Sequence, residues 1–528
     1  MTPPRILRPI AGVLLCVAGF AIAWPPGTHF RKTTVIVDAG GCRMVTDVID
    51  RGEDETRGSV LLFHGLAANK KIMSYIAQGF ALQNLRVFVP DLPGHGRTPG
   101  PFSFPRTAAC ADAFAHQLLA RGAIDDSHTI MAGHSMGGAI AVIAGVRLPV
   151  AGVVAISPAP MTPARGIPSF MLPFENPPPT PANTLAISGT FEPGGIHATA
   201  RDLADGAPAG SGKFIQIPRS THVSVLFDAR VVRAAQEWSE RLLHLSAASG
   251  AAPSFRPVAG WFAGFVGLLV LTGPFIRETV GPLLLPAPSS TEPNSNENIG
   301  PDGAAKYDFA RTDVAMGTPM LTTSAQVAAF SILAVIILKF WDPMRFVHIF
   351  QGDYLSSLLL LLGIALLAWH RKGIAATLRV QLITLLTAAL AALMLHFLVM
   401  GWFEITMTET WLIAARWLRF PAVLLAVLPF HLAEEILLGS VSARSPLQRL
   451  AGALWFRLLA GGVALGGIFL LHSGEILLVL LAFYIGAFCV LQRLGMQVVR
   501  KSTGSPLAAA LFGAILLAGF VLVVFPIN

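Results

Sequence analysis

The sequence predicts two fold classes in one chain: an α/β domain with a mostly parallel sheet and flanking helices, and an all-α domain with several transmembrane helices. Of the 528 residues, 53% are hydrophobic and only 13% are charged, so part of the chain must lie in lipid. Residues 30–245 have the composition of an ordinary globular domain, whereas residues 246–528 consist mostly of long apolar runs. We therefore expect an N-terminal segment at 1–29, an α/β domain at 30–245 and a transmembrane domain at 246–528.

The N-terminal segment has the pattern of an export signal. Arg5 and Arg8 precede an apolar run from Ile10 to Trp24, and Pro25-Pro26 follow it. Such a segment is either a cleaved signal peptide or an uncleaved signal anchor. Ala21-Ile22-Ala23 would suit a signal peptidase, but the length of the run and the later spans favour the anchor, which we expect.

A serine stands between two glycines in Gly133-His134-Ser135-Met136-Gly137. Residues 127–132 before it have the pattern of a short buried strand, and the small residues 138–144 after it have the pattern of a helix. A serine on such a turn has strained backbone angles, and the flanking glycines let the strand and helix approach closely. This pattern predicts a nucleophile elbow with Ser135 as the nucleophile.

A second motif lies about 70 residues before this serine, where the predicted strand Gly58–Phe63 ends in His64-Gly65-Leu66. A His-Gly turn at this distance commonly supplies one backbone N–H of an oxyanion hole. We assign that donor to Leu66 and the second donor to Met136, the residue after the serine. Two amides aimed at a developing oxyanion are what an acyl-transfer transition state needs.

Three motifs in this order resemble the α/β-hydrolase superfamily, and in particular its monoacylglycerol-lipase-like and serine-aminopeptidase-like members. They are His64-Gly65, then Asp91-Leu92-Pro93-Gly94-His95-Gly96, then Gly133–Gly138. The resemblance covers residues 30 to 245 and implies the α/β-hydrolase fold and a serine nucleophile. It is specific to the superfamily but not to a substrate.

The resemblance also implies an acid after a later strand and a histidine last in the chain. Thr184–Glu192 has the pattern of that strand and loop, so Glu192 is the predicted acid, although Asp is commoner, and Asp202 and Asp205 are the alternatives. His222 follows the last predicted strand and is the predicted general base, with His197 as the weaker alternative. The remaining histidines of the motifs are interpreted as turn and loop residues; they are His64, His95 and His134.

The sequence predicts only a minimal lid over this site. About 26 residues separate Ser157 from Thr184, and nine of them are prolines, a density that excludes a helical cap. The apolar centre of the segment either dips toward the bilayer, packs on the transmembrane domain or lies as a loop over the sheet. Its residues are Ile167, Phe170, Met171, Leu172 and Phe174.

Eight further apolar runs have the length that crosses a hydrocarbon core, which with the N-terminal run makes about nine helices. They extend from Val258 to Ile276, Leu321 to Phe340, Tyr354 to Trp369, Val380 to Trp402, Leu412 to Leu438, Gly452 to Leu471, Ile476 to Leu491 and Pro506 to Phe525. Residues 286–319 are rich in Ser, Asn, Pro and Gly and are predicted to form a polar loop.

The net charge of +8 is a topology signal, because the basic residues form no patch with interleaved aromatics and nucleic-acid binding is therefore not expected. With a cytoplasmic N-terminus, the outer loops hold little beyond Lys339 and Arg345. The inner loops would hold Arg277, Lys306, Arg311, Arg371, Lys372, Arg379, Arg444, Arg449, Arg493, Arg500 and Lys501. This asymmetry predicts a bacterial inner-membrane protein with an extracytoplasmic α/β domain.

The four cysteines show no metal-ligand spacing, and we expect neither a metal nor a cofactor. Cys42 and Cys110 are the pair that could bond within the α/β domain, and the sequence leaves open whether they do.

A polar cluster interrupts one apolar run, where His431 and Glu434 or Glu435 share a helical face. Intramembrane ionisable groups are often functional, so we treat these residues as a candidate site for a lipid headgroup, a proton or a metal. The cluster also bears a faint similarity to paired-glutamate intramembrane proteases, with His472 as the later residue, but the arginine expected after the glutamates is missing. Neutralisation of the glutamates by Arg444 or water at the mouth of the span is the alternative.

Other polar residues near the spans have simpler interpretations, and Arg416 and Arg419 are expected to snorkel to the interface.

Together these observations predict a membrane-bound serine hydrolase that cleaves a carboxylic ester, of a lipid or an acylated envelope component, through Ser135, His222 and Glu192. An acyltransferase or a peptidase with the same triad is one alternative. A transporter or lipid-handling protein with an appended hydrolase domain is another. The sequence does not indicate an oligomeric state.

Overall fold

The computed structural model describes residues 3–23, 30–52, 56–161, 179–208, 210–245, 252–280, 320–371, 380–440 and 446–528, with a few single positions between them. In this part of the chain one eight-stranded sheet has the order β1-β2-β4-β3-β5-β6-β7-β8. The strands are β1 Arg31–Ala39, β2 Cys42–Asp50, β3 Ser59–Phe63, β4 Arg86–Pro90, β5 Thr129–His134, β6 Gly152–Ile156, β7 Thr184–Gly189 and β8 Lys213–Ile217. Strand β2 is antiparallel to β1 and β4, and the remaining pairs are parallel.

Helices cover both faces of this sheet, as parallel strands require. The helices α2 (Ser74–Ala81) and α6 (Ala229–Leu242) share a core with one face. The helices α3 (Phe104–Ala120), α4 (Met136–Arg147) and α5 (Gly194–Asp205) share a core with the other. Strands β3, β5, β6 and β7 are buried at every residue, which explains why they appear in the sequence as short apolar runs without alternation. The predicted α/β class is confirmed.

The structure also joins Cys42, at the start of β2, to Cys110 in α3 by a disulfide bond that spans 68 residues of sequence. This resolves the pairing that the sequence left open.

Replacing both Cys42 and Cys110 by Ser should lower the free energy of unfolding by about 2 to 4 kcal/mol, because the unfolded chain loses a cross-link. Thermal unfolding of the purified protein, with and without a reductant, measures the effect. Cys489→Ser is the matched control, since Cys489 is a free thiol. An unchanged melting temperature in the double variant would contradict the prediction.

Among the described residues, eight helices are long and apolar enough to cross a membrane, and they correspond to the eight expected runs. They are α7 Arg256–Val280, α8 Met320–Phe340, α9 Gly352–Trp369, α10 Leu382–Thr406, α12 Phe420–Ser440 with the short α11 Ala414–Trp417 before it, α13 Pro446–Leu471, α14 Ile476–Thr503 and α15 Pro506–Val524. The predicted polar loop at 286–319 lies outside the described residues.

The N-terminal run forms the helix α1 (Pro3–Ala23), which lies against α7. Gly19 of α1 meets the backbone of Gly260 and Gly264 so closely that a Cβ at this position would collide with it. Small residues at such a crossing let two membrane helices pack backbone to backbone. An uncleaved anchor would make this contact, so the anchor stays our prediction.

The loops at the carboxyl ends of β3 and β4 lie against the transmembrane half. The Phe102 amide donates to the Ile527 carbonyl at 2.7 Å, and the Ile527 amide donates to the Gly94 carbonyl at 3.2 Å. The amide of Asn528 donates to the His348 carbonyl, in the loop before α9, at 3.1 Å. Because catalytic side chains in open α/β sheets lie at the carboxyl ends of the strands, the transmembrane half borders the candidate site.

The prediction that Arg416 snorkels is wrong. Its side chain is 4% exposed. The guanidinium donates to the carbonyls of Leu522, Phe525 and Gly94, which ties the last span to the loop after β4. Arg419 likewise donates to a protein carbonyl, that of Val347, at 2.6 Å. The carbonyl partners of both arginines are distant in the sequence, so the sequence alone does not indicate them.

Candidate active site

Ser135 lies at the turn between β5 and α4 with a φ of 55° and a ψ of −119°, which are strained angles for a residue with a side chain. A Cβ on Gly133 would collide with the Gly137 carbonyl, and a Cβ on Gly137 would collide with the Phe63 carbonyl at the end of β3. Both glycines are therefore required by close backbone contacts, as the nucleophile-elbow pattern indicates. The turn holds the Ser135 hydroxyl above the carboxyl edge of the sheet.

The loop after β8 brings His222 to this serine. Its Nε2 lies 3.1 Å from the Ser135 Oγ, within hydrogen-bond distance. The backbone carbonyl of His222 accepts a hydrogen bond from the Nε2 of His134 at 2.8 Å, and the two rings lie 4.7 Å apart. His134, which the sequence marks only as a turn residue, thus fixes the loop that carries the candidate base.

Glu192 lies in the loop after β7 with its side chain fully buried, and its Oε1 is 3.9 Å from the His222 Nδ1. This separation exceeds a hydrogen bond, and neither the His222 Nδ1 nor the Glu192 Oε2 has a partner in the described part of the chain. Catalytic hydrogen bonds are often long in the absence of substrate. The two atoms without a partner are the ones that a hydrogen bond between the predicted acid and base would join.

Ser157, a residue that sequence reasoning missed, holds this carboxylate. Its Oγ donates to the Glu192 Oε1 at 2.5 Å from a position directly after β6. The sequence could have indicated this role, because Ser157 directly follows the strand between β5 and β7. At that position it must face both the loop of the nucleophile and the loop of the acid.

The two predicted oxyanion donors come from different elements, one directly after the serine and one from the loop after β3. Met136 is the first residue of α4, and Leu66 lies in the loop after β3. The backbone of the loop after β3 comes close to Ser135 at Gly65. A Cβ on Gly65 would lie 3.2 Å from the Ser135 Cβ. The loop that carries Leu66 therefore borders the nucleophile.

Two buried histidines order the Leu66 loop. His64 accepts from the Leu92 amide at Nε2 (2.9 Å), so its Nδ1 carries the proton and donates to the Gly65 carbonyl (2.8 Å). His95 accepts from the Ala67 amide at Nε2 (3.3 Å) and donates from Nδ1 to the Pro93 carbonyl (2.9 Å). Burial lowers the pKa of both rings, which keeps these neutral tautomers.

The alternative site residues are placed elsewhere. His197 in α5 pairs through Nδ1 with the Ser188 Oγ at 2.8 Å and packs on the Phe214 ring. Asp202 and Asp205 are exposed near the end of the same helix. The structure brings Glu192 and His222, and not these residues, to the serine.

The acid limb of the pH–rate profile should lie below pH 6.5. Burial lowers the pKa of His222 to about 4. A general base must be neutral, so activity is expected to persist as the pH falls below 6 and to be lost only toward the lowered pKa. The measurement is kcat/KM for a short-chain ester between pH 4 and 8. A midpoint at 6.5 or above would show that His222 titrates as an ordinary exposed histidine.

The intramembrane residues predicted from the sequence do come together, but with partners that the sequence did not indicate. Glu434 receives two hydrogen bonds from Arg457 at 2.7 and 2.8 Å, and Glu435 pairs with Arg493. The His431 Nδ1 lies 3.9 Å from the Glu434 Oε2. The side chains of these five residues are at most 7% exposed. Arg493, expected in an inner loop, is instead a buried residue of α14, and Arg444 lies outside the described residues.

The protease-like and metal interpretations gain nothing from this geometry. His472 follows the end of α13, 15 residues or roughly 22 Å along the helix from Arg457. Within the described ranges, no group of three or more His, Cys, Asp or Glu side chains is placed to hold a metal ion.

Residues 60–291 match the model of the Alpha/beta hydrolase family. Together with the sheet order, this match confirms the predicted α/β-hydrolase fold. The chain is 36% identical over 121 residues to a monoacylglycerol lipase of Mycolicibacterium smegmatis, a match that covers 22% of this chain and 43% of that enzyme. It thus spans less than half of the length of this relative.

Solved structures similar to the chain include a predicted CIB-like hydrolase of Thermoplasma acidophilum, with 20% identity, coverage of 41% of this chain and 100% of that one, and a TM-score of 0.32. The Est1E protein of Butyrivibrio proteoclasticus with bound ferulic acid shows 15% identity and a TM-score of 0.33, and the match covers 40% of this chain and 99% of that one. A dienelactone hydrolase of Anabaena variabilis shows 19% identity, coverage of 42% and 100%, and a TM-score of 0.33.

Proposed function

We propose that this protein is a membrane-bound serine hydrolase that cleaves a carboxylic ester of a lipid or an acylated envelope component. The observation that carries the proposal is the Ser135 Oγ on a strained elbow, 3.1 Å from the Nε2 of a histidine with a lowered pKa. A neutral imidazole at this distance can accept the serine proton. The similarity to a monoacylglycerol lipase supports the choice of an ester substrate.

The reaction would proceed through an acyl-enzyme. The Ser135 Oγ attacks the ester carbonyl carbon while His222 takes its proton, and the amides of Leu66 and Met136 stabilise the oxyanion. The carbonyl re-forms as the alcohol leaves with the proton from His222. A water molecule, deprotonated by His222, then attacks the acyl carbon and releases the acid, and Ser135 regains its proton. Glu192 stabilises the imidazolium in both steps.

An aromatic cluster supports an apolar substrate. It consists of Phe102, Phe104 and Phe174 of the hydrolase domain and Phe350 from the loop between α8 and α9. The ring centroids of Phe102 and Phe350 lie 4.8 Å apart, and those of Phe104 and Phe174 lie 5.6 Å apart. Because the cluster contains residues of both domains, it makes the border between them apolar, as suits an acyl-chain substrate. Phe174 is the described part of the predicted lid, with Leu172, whereas Ile167, Phe170 and Met171 lie outside the described residues.

We further propose that the hydrolase domain lies on the extracytoplasmic side of a bacterial inner membrane. A disulfide bond is typical of an oxidising compartment, and Cys42 and Cys110 form one. The lysine and arginine bias of the loops supports the same orientation.

A substrate screen of the purified protein in lipid tests this function. The substrates are lysophospholipid, monoacylglycerol, short-chain esters and aminoacyl amides, with release of the free acid as the readout. We expect hydrolysis of the esters. Activity on the amides alone would indicate a peptidase and overturn the assignment.

A further inference from the structure

The segment after β3 that carries Leu66, residues 64–71, is called the oxyanion loop below. Its contacts extend into the transmembrane half, to the segment of residues 407–413 between α10 and α11. The Nδ2 of Asn69 donates to the Thr408 Oγ1 at 2.7 Å and to the Glu409 carbonyl at 3.1 Å. The Oδ1 of Asn69 accepts from the Glu409 amide at 3.3 Å. Three hydrogen bonds of one buried side chain thus join the oxyanion loop to the other domain.

A buried ion triad makes the same connection beside Asn69. The Lys70 Nζ lies 2.6 Å from the Asp91 Oδ2 and 2.5 Å from the Glu409 Oε1, and the lysine side chain is 1% exposed. The Asp91 Oδ1 also accepts from the Lys70 amide at 2.8 Å. The lysine is therefore held by one carboxylate from each domain.

The two carboxylates of the triad differ in their pKa, and Glu409 has the higher one. Two carboxylates share one lysine, and burial together with the charge of Asp91 raises the pKa of Glu409 to about 7. The pKa of Asp91 is lowered, because Lys70 and its hydrogen bonds outweigh the effect of burial. Asp91 therefore stays ionised, and Glu409 is the carboxylate of the triad that takes up a proton more easily.

The segment that carries Glu409 is held by both domains, through Arg97 of the hydrolase domain and Glu404 of its own domain. Arg97 donates to the Glu404 Oε1 at 2.8 Å, and its Nε lies 3.4 Å from the Glu409 Oε1. The Glu404 Oε2 accepts from the Thr410 amide at 2.5 Å. Because Glu404 belongs to the last turn of α10, the position of Glu409 is set by the end of a membrane span.

A simpler interpretation is that the triad only holds two domains together. Buried ion pairs contribute little net stability, because desolvation offsets their attraction. This triad is also attached to the oxyanion loop, four residues after the proposed donor Leu66, and Leu66 packs against the cores of both domains. These contacts connect the transmembrane half to the catalytic geometry.

We infer that Glu409 is a positioning residue, which holds the oxyanion loop through Lys70 so that the Leu66 amide faces the reacting carbonyl. The inference rests on the proposed function, with Leu66 as an oxyanion donor. An oxyanion donor acts in the transition state and not on the bound substrate. Loss of Glu409 should therefore lower kcat and leave KM nearly unchanged.

The experiment measures kcat and KM for a short-chain p-nitrophenyl ester with the full-length protein in lipid nanodiscs. For Glu409→Ala we expect kcat to fall by about 10- to 100-fold, since small displacements of catalytic groups have effects of this size. Glu409→Gln keeps an oxygen that can accept from Lys70 and should recover much of the rate. Asp50→Ala is the matched control, because Asp50 is a buried carboxylate at the end of β2 that binds Arg31 of β1 at 3.0 Å. This end of β2 lies beside the amino end of β4, away from the carboxyl edge that carries the candidate site.

A further variant, Thr408→Val, removes one hydrogen bond to Asn69 with little change of shape, and is used if Glu409→Ala does not fold. We expect a fall in kcat of about 3- to 10-fold, in line with the loss of one hydrogen bond. A wild-type kcat in both Glu409→Ala and Thr408→Val would overturn the inference. A fall in kcat in Asp50→Ala equal to that in Glu409→Ala would also overturn it. If the wild-type protein itself shows no esterase activity, the proposed function fails, and this outcome is distinct from the others.

Discussion

Ser135→Ala should abolish ester hydrolysis, with a fall in kcat of roughly five to six orders of magnitude. Removal of the nucleophile prevents acyl-enzyme formation, and only the oxyanion hole and substrate binding are left to accelerate the attack of water. Labelling by a fluorophosphonate should disappear in the same variant, because this reagent forms its bond with the activated serine. The two readouts together separate loss of the nucleophile from loss of substrate binding.

The matched control is Ser127→Ala, an exposed serine in the turn before β5 that lies in the same segment but outside the elbow. It should retain wild-type activity and labelling. If Ser135→Ala keeps either property, the nucleophile has been assigned to the wrong residue. If the variant loses hydrolysis but still supports full function in cells, the hydrolase domain is an appendage of a functional transmembrane half.

The second large effect is expected inside the transmembrane domain. Arg457→Met should destabilise the protein by about 3 to 5 kcal/mol, because it leaves the Glu434 carboxylate without its two shortest hydrogen bonds. Glu434 is 2% exposed, so water cannot replace the lost partner. Thermal unfolding in detergent, followed by the fraction of protein that stays monodisperse, measures the change.

The double variant Arg457→Met, Glu434→Gln is the informative companion, because it removes both charges of the pair. Its stability should return most of the way to that of the wild type, since a neutral pair of similar volume has no uncompensated charge to bury. A double variant no more stable than Arg457→Met would show that the two residues are not coupled. That result would instead favour the interpretation of His431, Glu434 and Glu435 as a functional site that needs the charge of the glutamates.

Much of the fold follows from local sequence patterns. The buried strands are short apolar runs, and the elbow is recognisable from the small residues that its backbone contacts demand, as at Gly133 and Gly137. The apolar spans have a length set by the bilayer. In each case the physical cause lies within about 20 neighbouring residues, so the sequence alone can reveal it.

The remaining features depend on contacts between distant residues. Arg457 and Arg493 follow Glu434 by 23 and 59 residues, and nothing near the glutamates indicates them as partners. The contact between Lys70 and Glu409 spans 339 residues. Ser157 similarly acquires its role from the neighbouring strands of the sheet and not from its own segment. The sequence therefore suggests the chemical groups of the site more readily than the supports that hold them.

The backbone bonds between Ile527 and the loop at Gly94 and Phe102 have a consequence for biosynthesis. Ile527 leaves the ribosome 282 residues after residue 245, the predicted end of the α/β domain. This interval is roughly 15 to 55 s at ordinary rates of synthesis. During this interval the Phe102 amide and the Gly94 carbonyl lack the Ile527 partner that they have in the structure. The loop after β4 can therefore form these bonds only after α15 has been synthesised, which makes this border of the candidate site a late step in folding.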